Sequence, residues 1–333
     1  MQRFAHRPLI TALLAAALSG VTAVHAQAPA DTERVGRSPW GPTDEIGALN
    51  KITPASVLKV LSRVSSGKTY DLSVEFYVGM PSYYFLGQPR YQIWNVHTPQ
   101  GTIVDDPNGL GREKNSLVTY SGSAFSMYAH TGTHIDALSH FGLQGEIFNG
   151  FKTQDHLGDR GWRKAGIEKF PPIIARGVLI DVARYKGVDV LPDSYGITVA
   201  DLQGALVQQG VALEDGDVVM VRTGRMRWFQ DNDRYLTNTP GLTRESANFL
   251  ADRGAIVIGV DNISTDVWPA QEDRNWIPVH SAMLSQRGVP IMQNVNLEGL
   301  SADRVFQFAW IGAPLKLRGA DGAPMRPVAI PIR

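Results

Sequence analysis

The chain has 333 residues, 43% of them apolar and 19% charged, with 33 Gly, 20 Pro and no Cys. That balance is too apolar for a disordered protein, and the missing cysteines exclude disulfide scaffolds, Cys nucleophiles, thiolate zinc sites and iron–sulfur clusters. Lys plus Arg and Asp plus Glu stand at 32 each, with no basic cluster, so no nucleic-acid partner is expected.

Residues 1–26 read as a secretory signal peptide. Arg3 and Arg7 open it, residues 9–24 are mostly apolar, and Val24-His25-Ala26 offers small residues for cleavage after Ala26. The run is 16 residues long and interrupted by Thr11, Ser19, Gly20 and Thr22. A spanning helix needs about 20 apolar residues; an uncleaved anchor is the competing reading. Cleavage removes two Arg and no acid, leaving 30 bases against 32 acids. The expected location is periplasmic or secreted, with no membrane span after cleavage. Residues 27–38 read as a flexible leader and residues 39–333 as one domain, because no clean linker divides them.

Helix and strand signals then mix along the chain. Thr53-Pro54 opens a helix that Gly67 closes, with Val57, Leu58, Leu61 and Val64 on one face. A strand is expected over residues 70–77. Three more are expected over 177–181, 217–222 and 255–260, and a last one over 305–311. Val178-Leu179-Ile180 and Ile256-Val257-Ile258 are short, continuous apolar runs that suit strands buried on both faces. Thr198, with Asp201 three later, starts a helix that Gly210 ends. Another runs from near Thr243 to Gly254, with Ala247, Leu250 and Ala251 inward. Phe170-Pro171-Pro172 and the stretch after Ala313 read as loops. The alternation indicates an α/β fold.

Three of the six histidines outside residues 1–26 fall in His130-Thr131-Gly132-Thr133-His134-Ile135-Asp136-Ala137-Leu138-Ser139-His140. Three imidazoles and a carboxylate suit zinc, manganese or iron. On a helix Asp136 would lie about 200° from His134. On a strand, positions 130, 134, 136 and 140 share parity, but an extended chain separates His130 from His134 by about 13 Å, too far for one ion. The spacing predicts a strand that kinks at Gly132 and brings His130, His134 and Asp136 onto one ion. Three unrelated structural histidines on a polar turn are the alternative. His97 and His156 stand alone and read as structural. There is no His-Glu-x-x-His, and the spacing differs from His-x-His-x-Asp.

The motif His130-x-Gly132-Thr133-His134-x-Asp136-x-x-x-His140 resembles the signature of the metal-dependent cyclase family, which includes bacterial kynurenine formamidase and isatin hydrolase. Flanking motifs match in order: Trp40-Gly41-x-x-Asp44-Glu45-x-Gly47-Ala48-x-Asn50, Asp71-Leu72-Ser73 with Gly79-Met80-Pro81, Arg176-Gly177-Val178-Leu179-Ile180-Asp181, and Gly216-Asp217-Val218-Val219. The resemblance implies a compact α/β domain with mixed sheets, usually in a dimer or larger assembly. The implied activity is metal-dependent hydrolysis of small amides or cyclic imides. His130, His134 and Asp136 match the metal ligands, and His140 matches the catalytic His. Asp261 matches a recurrent family Asp. His280 matches a position that binds a second zinc in kynurenine formamidase, and Gln293 falls where that enzyme has a Glu ligand. Leu138 replaces a Pro of the formamidases, with little chemical weight.

With Asp136 as the only anionic ligand, two divalent ions would leave about +3 formal charge in the site, which is costly to bury. One ion is therefore expected, zinc or manganese, since Gln293 offers a hard neutral oxygen. This is closer to the isatin hydrolase arrangement. On this reading a metal-activated water attacks the amide, and His140 takes its proton and delivers it to the leaving nitrogen. His140 as a further ligand is the alternative. For His280 the alternative is a helix-start residue, for Gln293 a structural amide, and for Asp261 a loop cap instead of a substrate or ligand contact. Phe141, next to His140, is the expected substrate wall, with Trp40, Trp94, Trp268 and Trp276 as further aromatics. Two other functions remain open: lactone hydrolysis or cyclisation within the family, and a non-catalytic periplasmic metal- or ligand-binding protein.

Overall fold

In a computed structural model, residues 33–272 and 274–333 are described. The expected signal peptide and the first part of the expected leader lie outside them. Residues Arg34–Arg333 form one contact-dense unit. The leader is shorter than expected: Val35 is buried, Gly36 N–H donates to the Ser285 carbonyl, and Arg37 donates to the Asn149 carbonyl.

Nine strands build one sheet: β1 (Tyr70–Asp71), β2 (His134–Asp136), β3 (Ile173–Asp181), β4 (Val218–Arg222), β5 (Val257–Val260), β6 (Ile291–Gln293), β7 (Gln307–Gly312), β8 (Gly322–Pro324) and β9 (Val328–Pro331). Their order is β1-β9-β7-β3-β4-β5-β6-β2-β8. The four central strands β3 to β6 are parallel, and the strands on both flanks are antiparallel. This is the expected mixed α/β fold. The apolar runs of β3, β4 and β5 are buried throughout, as strands covered on both faces should be.

The helix α2 (Val199–Gln209) has the expected capping box between Thr198 and Asp201 and a left-handed Gly210 at its end. In α3 (Arg244–Asp252), capped by Thr243, Ala247 and Leu250 are buried and Ala251 is partly so. The first helix, α1 (Pro54–Leu61), departs from expectation. It stops at Leu61 because residues 63–65 pair with the C-terminal end: Ser65 N–H donates to the Pro331 carbonyl and Arg333 N–H to the Arg63 carbonyl. Its inward residue is Val60, while Leu58, Leu61 and Val64 are exposed.

Two further corrections bear on the site. The strand expected over 70–77 ends at Asp71, because Val74 N–H leaves the sheet to donate to Thr133 Oγ1. The proline-containing stretch after Ala313 is not all loop: β8 and β9 lie in it, with Pro324 and Pro331 at strand ends. Proline is tolerated where no ladder donor is needed. Among the described residues no helix is long and apolar enough to cross a membrane.

Candidate metal centre

The site sits where β2 joins β6. In β2, His134 and Asp136 face one way while Ile135 enters the core. His134 lies opposite Gln293 of β6, and Asp136 opposite Gly322 of β8. The chain does turn at Gly132, which has φ +64°, but His130 sits in the turn before the strand instead of on a kinked strand. A Cβ on Gly132 would lie 2.6 Å from the Phe76 ring, so both conformation and space require glycine there. Its carbonyl accepts from His134 Nδ1 at 2.7 Å and from Asn294 Nδ2 at 2.8 Å.

Those bonds decide which nitrogen His134 offers. With Nδ1–H given to a carbonyl, Nε2 keeps its lone pair. His134 Nε2 is buried and has no hydrogen-bond partner; it lies 3.4 Å from Asp136 Oδ1. Asp136 Oδ2 is likewise buried and unpartnered. His130 Nδ1 lies 2.7 Å from Asp136 Oδ1. One donor atom from each of His130, His134 and Asp136 falls within 4.8 Å of the others, as a single ion would need. Orphaned buried donors of this kind are costly unless something fills their coordination. The three residues that the spacing brought together therefore fit a divalent ion.

Charge is concentrated here. Burial works against both partners, yet His140 and His130 hold the Asp136 carboxyl well below the usual carboxylate range. Burial pushes His130 down, but Asp136 and Asp321 outweigh it and raise the imidazole to about 9. Burial and the neighbouring His130 push His140 down to about 4. The His130 and His140 rings stack at 3.9 Å.

His280 ends the short helix Pro278–His280 and also faces the site, with Nε2 3.6 Å from Asp136 Oδ2. Asp266 takes its Nδ1–H, and also the backbone N–H of Val279 and of His280. The Gln293 amide donates to His280 Nε2 at 2.9 Å and to Thr265 Oγ1 at 3.3 Å. Phe141 packs edge-on to His140 at 4.7 Å and contacts the rings of His280 at 4.9 Å and Trp276 at 5.8 Å. It thus lies against the histidines, while Trp94 stands on an exposed hairpin.

Of the two readings open for Asp261, a substrate or ligand contact and a loop cap, its hydrogen bonds are those of a loop cap. Its fully buried carboxylate accepts from Thr223 N–H, Thr223 Oγ1 and Gly224 N–H at 2.6–2.8 Å, which holds the turn after β4. Burial pushes that carboxyl up to about 6, against the pull of Arg222 and the Thr223 donors. His97 and His156 lie against Tyr120 and Phe151, outside the cluster.

Two carboxylates escaped the sequence reading. Asp266 anchors His280, and Asp321 lies 3.2 Å from His130 Nε2 and 3.4 Å from His140 Nδ1. Asp321 is 181 residues from His140 in sequence, inside a stretch read as loop, and no local pattern points to it.

The putative cyclase family model matches residues 70–267. A kynurenine formamidase from Bacillus cereus is 29% identical over 242 residues, which cover 72% of this chain and 91% of the relative. A solved structure described as a novel cyclase superposes with a TM-score of 0.77 at 27% identity, covering 87% of this chain and 95% of the other. An isatin hydrolase bound to the product analogue thioisatinate shares the fold, with a TM-score of 0.61 at 20% identity over 85% of this chain and all of the other. With the family model spanning more than half its length and including the His/Asp motif, the chain belongs to the cyclase family.

Proposed function

We propose that the chain is a metal-dependent hydrolase of a small amide or cyclic amide that works with one divalent ion, zinc or manganese. The observation that carries this reading is the buried convergence of His130, His134 and Asp136, with His134 Nε2 and Asp136 Oδ2 left without partners. Those three residues would hold the ion. When bound, it supplies Lewis acidity towards a carbonyl and towards water. The kynurenine formamidase relative supports an acyl C–N bond as the target. Phe141, with Trp276 beside it, supports an aromatic group on the substrate.

His140 is the group that moves the proton. It is partly exposed beside the buried donors, and its lowered pKa leaves it unprotonated at neutral pH, ready to accept. It then returns the proton to the leaving nitrogen. The one-ion count rests on Gln293, whose amide N–H is committed to His280 Nε2. Asp321 and Asp266 add two carboxylates behind the histidines, so charge alone does not exclude a second ion.

The leader sequence supports action outside the cytoplasm. Exposed apolar residues on the hairpin of Gln92–His97 and Gly122–Ser126 support a homo-oligomer. The test is turnover of an aryl formamide such as N-formylkynurenine, of isatin and of an aryl lactone by zinc- or manganese-loaded protein. Hydrolysis of an amide or lactam is expected, and loss of that turnover in His140→Ala. Turnover of the lactone alone would move the reading to an esterase-type member, and turnover of none would overturn it.

A further inference from the structure

We infer that Asp321 is a positioning residue that sets the hydrogen placement of two imidazoles at once, one on a metal ligand and one on the proton-transfer histidine. The roles of those two histidines rest on the hydrolase reading above. The placement itself rests on geometry.

The Asp321 carboxylate bridges the same edge of two stacked rings. Its Oδ1 is 3.2 Å from His130 Nε2, and its Oδ2 is 3.4 Å from His140 Nδ1. The rings are 3.9 Å apart and inclined by 24°. An ionised carboxylate only accepts, so each nitrogen that faces it must carry a hydrogen. In a neutral imidazole the other nitrogen is then the lone-pair donor. For His130 that is Nδ1, once an ion has displaced the hydrogen that Nδ1 gives to Asp136 Oδ1 at 2.7 Å in the metal-free protein; His134 Nε2 points to the same side. For His140 it is Nε2, which leaves that atom free to accept a proton. One carboxylate thus presents both rings in the tautomer that each role requires.

The backbone holds Asp321 in place. Its carbonyl accepts from Ala137 N–H at 2.8 Å, so it is tied to the strand that carries Asp136. Gly322 pairs with Asp136 in the sheet, and a Cβ there would lie 2.5 Å from His130 Cε1. Just upstream, Ile167 N–H donates to the Ala320 carbonyl and Gly319 N–H to Glu168 Oε2. The His130 ring is therefore laid against the bare backbone of Gly322 with its Nε2 directed at Asp321.

The experiment uses the wild type, Asp321→Asn and Asp321→Glu. Asparagine keeps the size but presents an N–H to one of the two rings. Nitrogen-15 NMR of the histidines in metal-free protein reads the tautomer of His140, and competition with a chelator reads zinc affinity. In the wild type the His140 hydrogen is expected on Nδ1. In Asp321→Asn it should shift towards Nε2, zinc affinity should fall about 10- to 100-fold, and Asp321→Glu should recover part of both. If turnover is present, kcat should fall in the Asn variant with KM little changed. A wild-type His140 with its hydrogen on Nε2 would overturn the inference, even if the variants fail to fold. So would an Asn variant with unaltered tautomer and zinc affinity. Absence of turnover in the wild type would count against the hydrolase reading alone, because the NMR and zinc readouts do not depend on it.

Discussion

Gly132 shows how much of the site hangs on one residue. Its left-handed φ turns the chain between His130 and His134, its missing Cβ makes room for Phe76, and its carbonyl fixes the His134 tautomer. Gly132→Ala is expected to cost about 1–3 kcal/mol in strain and to lower metal content together with thermal stability. Retention of both would show that the turn is not what places His134. His140→Ala should behave differently, keeping the metal and the fold while losing about 10²- to 10⁴-fold in kcat. Elemental analysis and a thermal melt beside the assay separate the two variants. The sequence made this much of the site legible: the parity and spacing of His130, His134 and Asp136, and the need for a bend at Gly132. Asp321 was not legible, since it meets His130 and His140 only across the assembled sheet, and Asp266 was not, since the irregular stretch between it and His280 carries no periodicity. For Asp261 both a loop cap and a substrate contact stayed open, because position after a buried strand says nothing of which way a carboxylate is satisfied.

At the level of elements, the centre is a product of three short strands. The strand β2 supplies His134 and Asp136, β6 brings Gln293 beside His134, and β8 brings Gly322 beside Asp136. The long parallel strands were readable from their apolar runs. The short ones were not, because two or three residues carry no periodicity and β8 ends in proline. The α1 face was misjudged for a related reason: helical spacing allows more than one stripe, and pairing of residues 63–65 with the C-terminus selects the one with Val60 inward. Gly322→Ala should push against the His130 ring and weaken zinc binding, which chelator competition will show. Zinc binding should also depend on pH in a defined sense. In metal-free protein His130 lies at about 9, above its usual 6.5, so its ion pairing stabilises the fold fully below about 6.5 and is lost as pH rises through 9. An ion must displace that proton, so zinc affinity is expected to rise over the same window while the metal-free protein loses thermal stability. Affinity that is flat from pH 6.5 to 9 would mean that His130 is not a ligand.

The whole molecule carries its candidate chemistry at one edge region of a large sheet and a cluster of exposed apolar residues on a separate excursion. Ile93, Trp94, Val96 and Phe125 lie on the exposed hairpin, each about half accessible. Isolated exposed apolar residues are ordinary, but a cluster on one hairpin marks an interaction surface. The chain is expected to sediment as a dimer or larger, and a Trp94→Asp/Phe125→Asp variant should shift it towards monomer. A wild-type monomer would contradict the homo-oligomer. The proposed hydrolase stands or falls on one divalent ion held by His130, His134 and Asp136. The most direct measurement is elemental analysis of the chain from Gln27, purified without added metal and again after soaking in zinc or manganese, beside His134→Ala. About one zinc or manganese per chain, lost in His134→Ala, is the predicted result. No metal in either preparation, or the same content in His134→Ala, would contradict it.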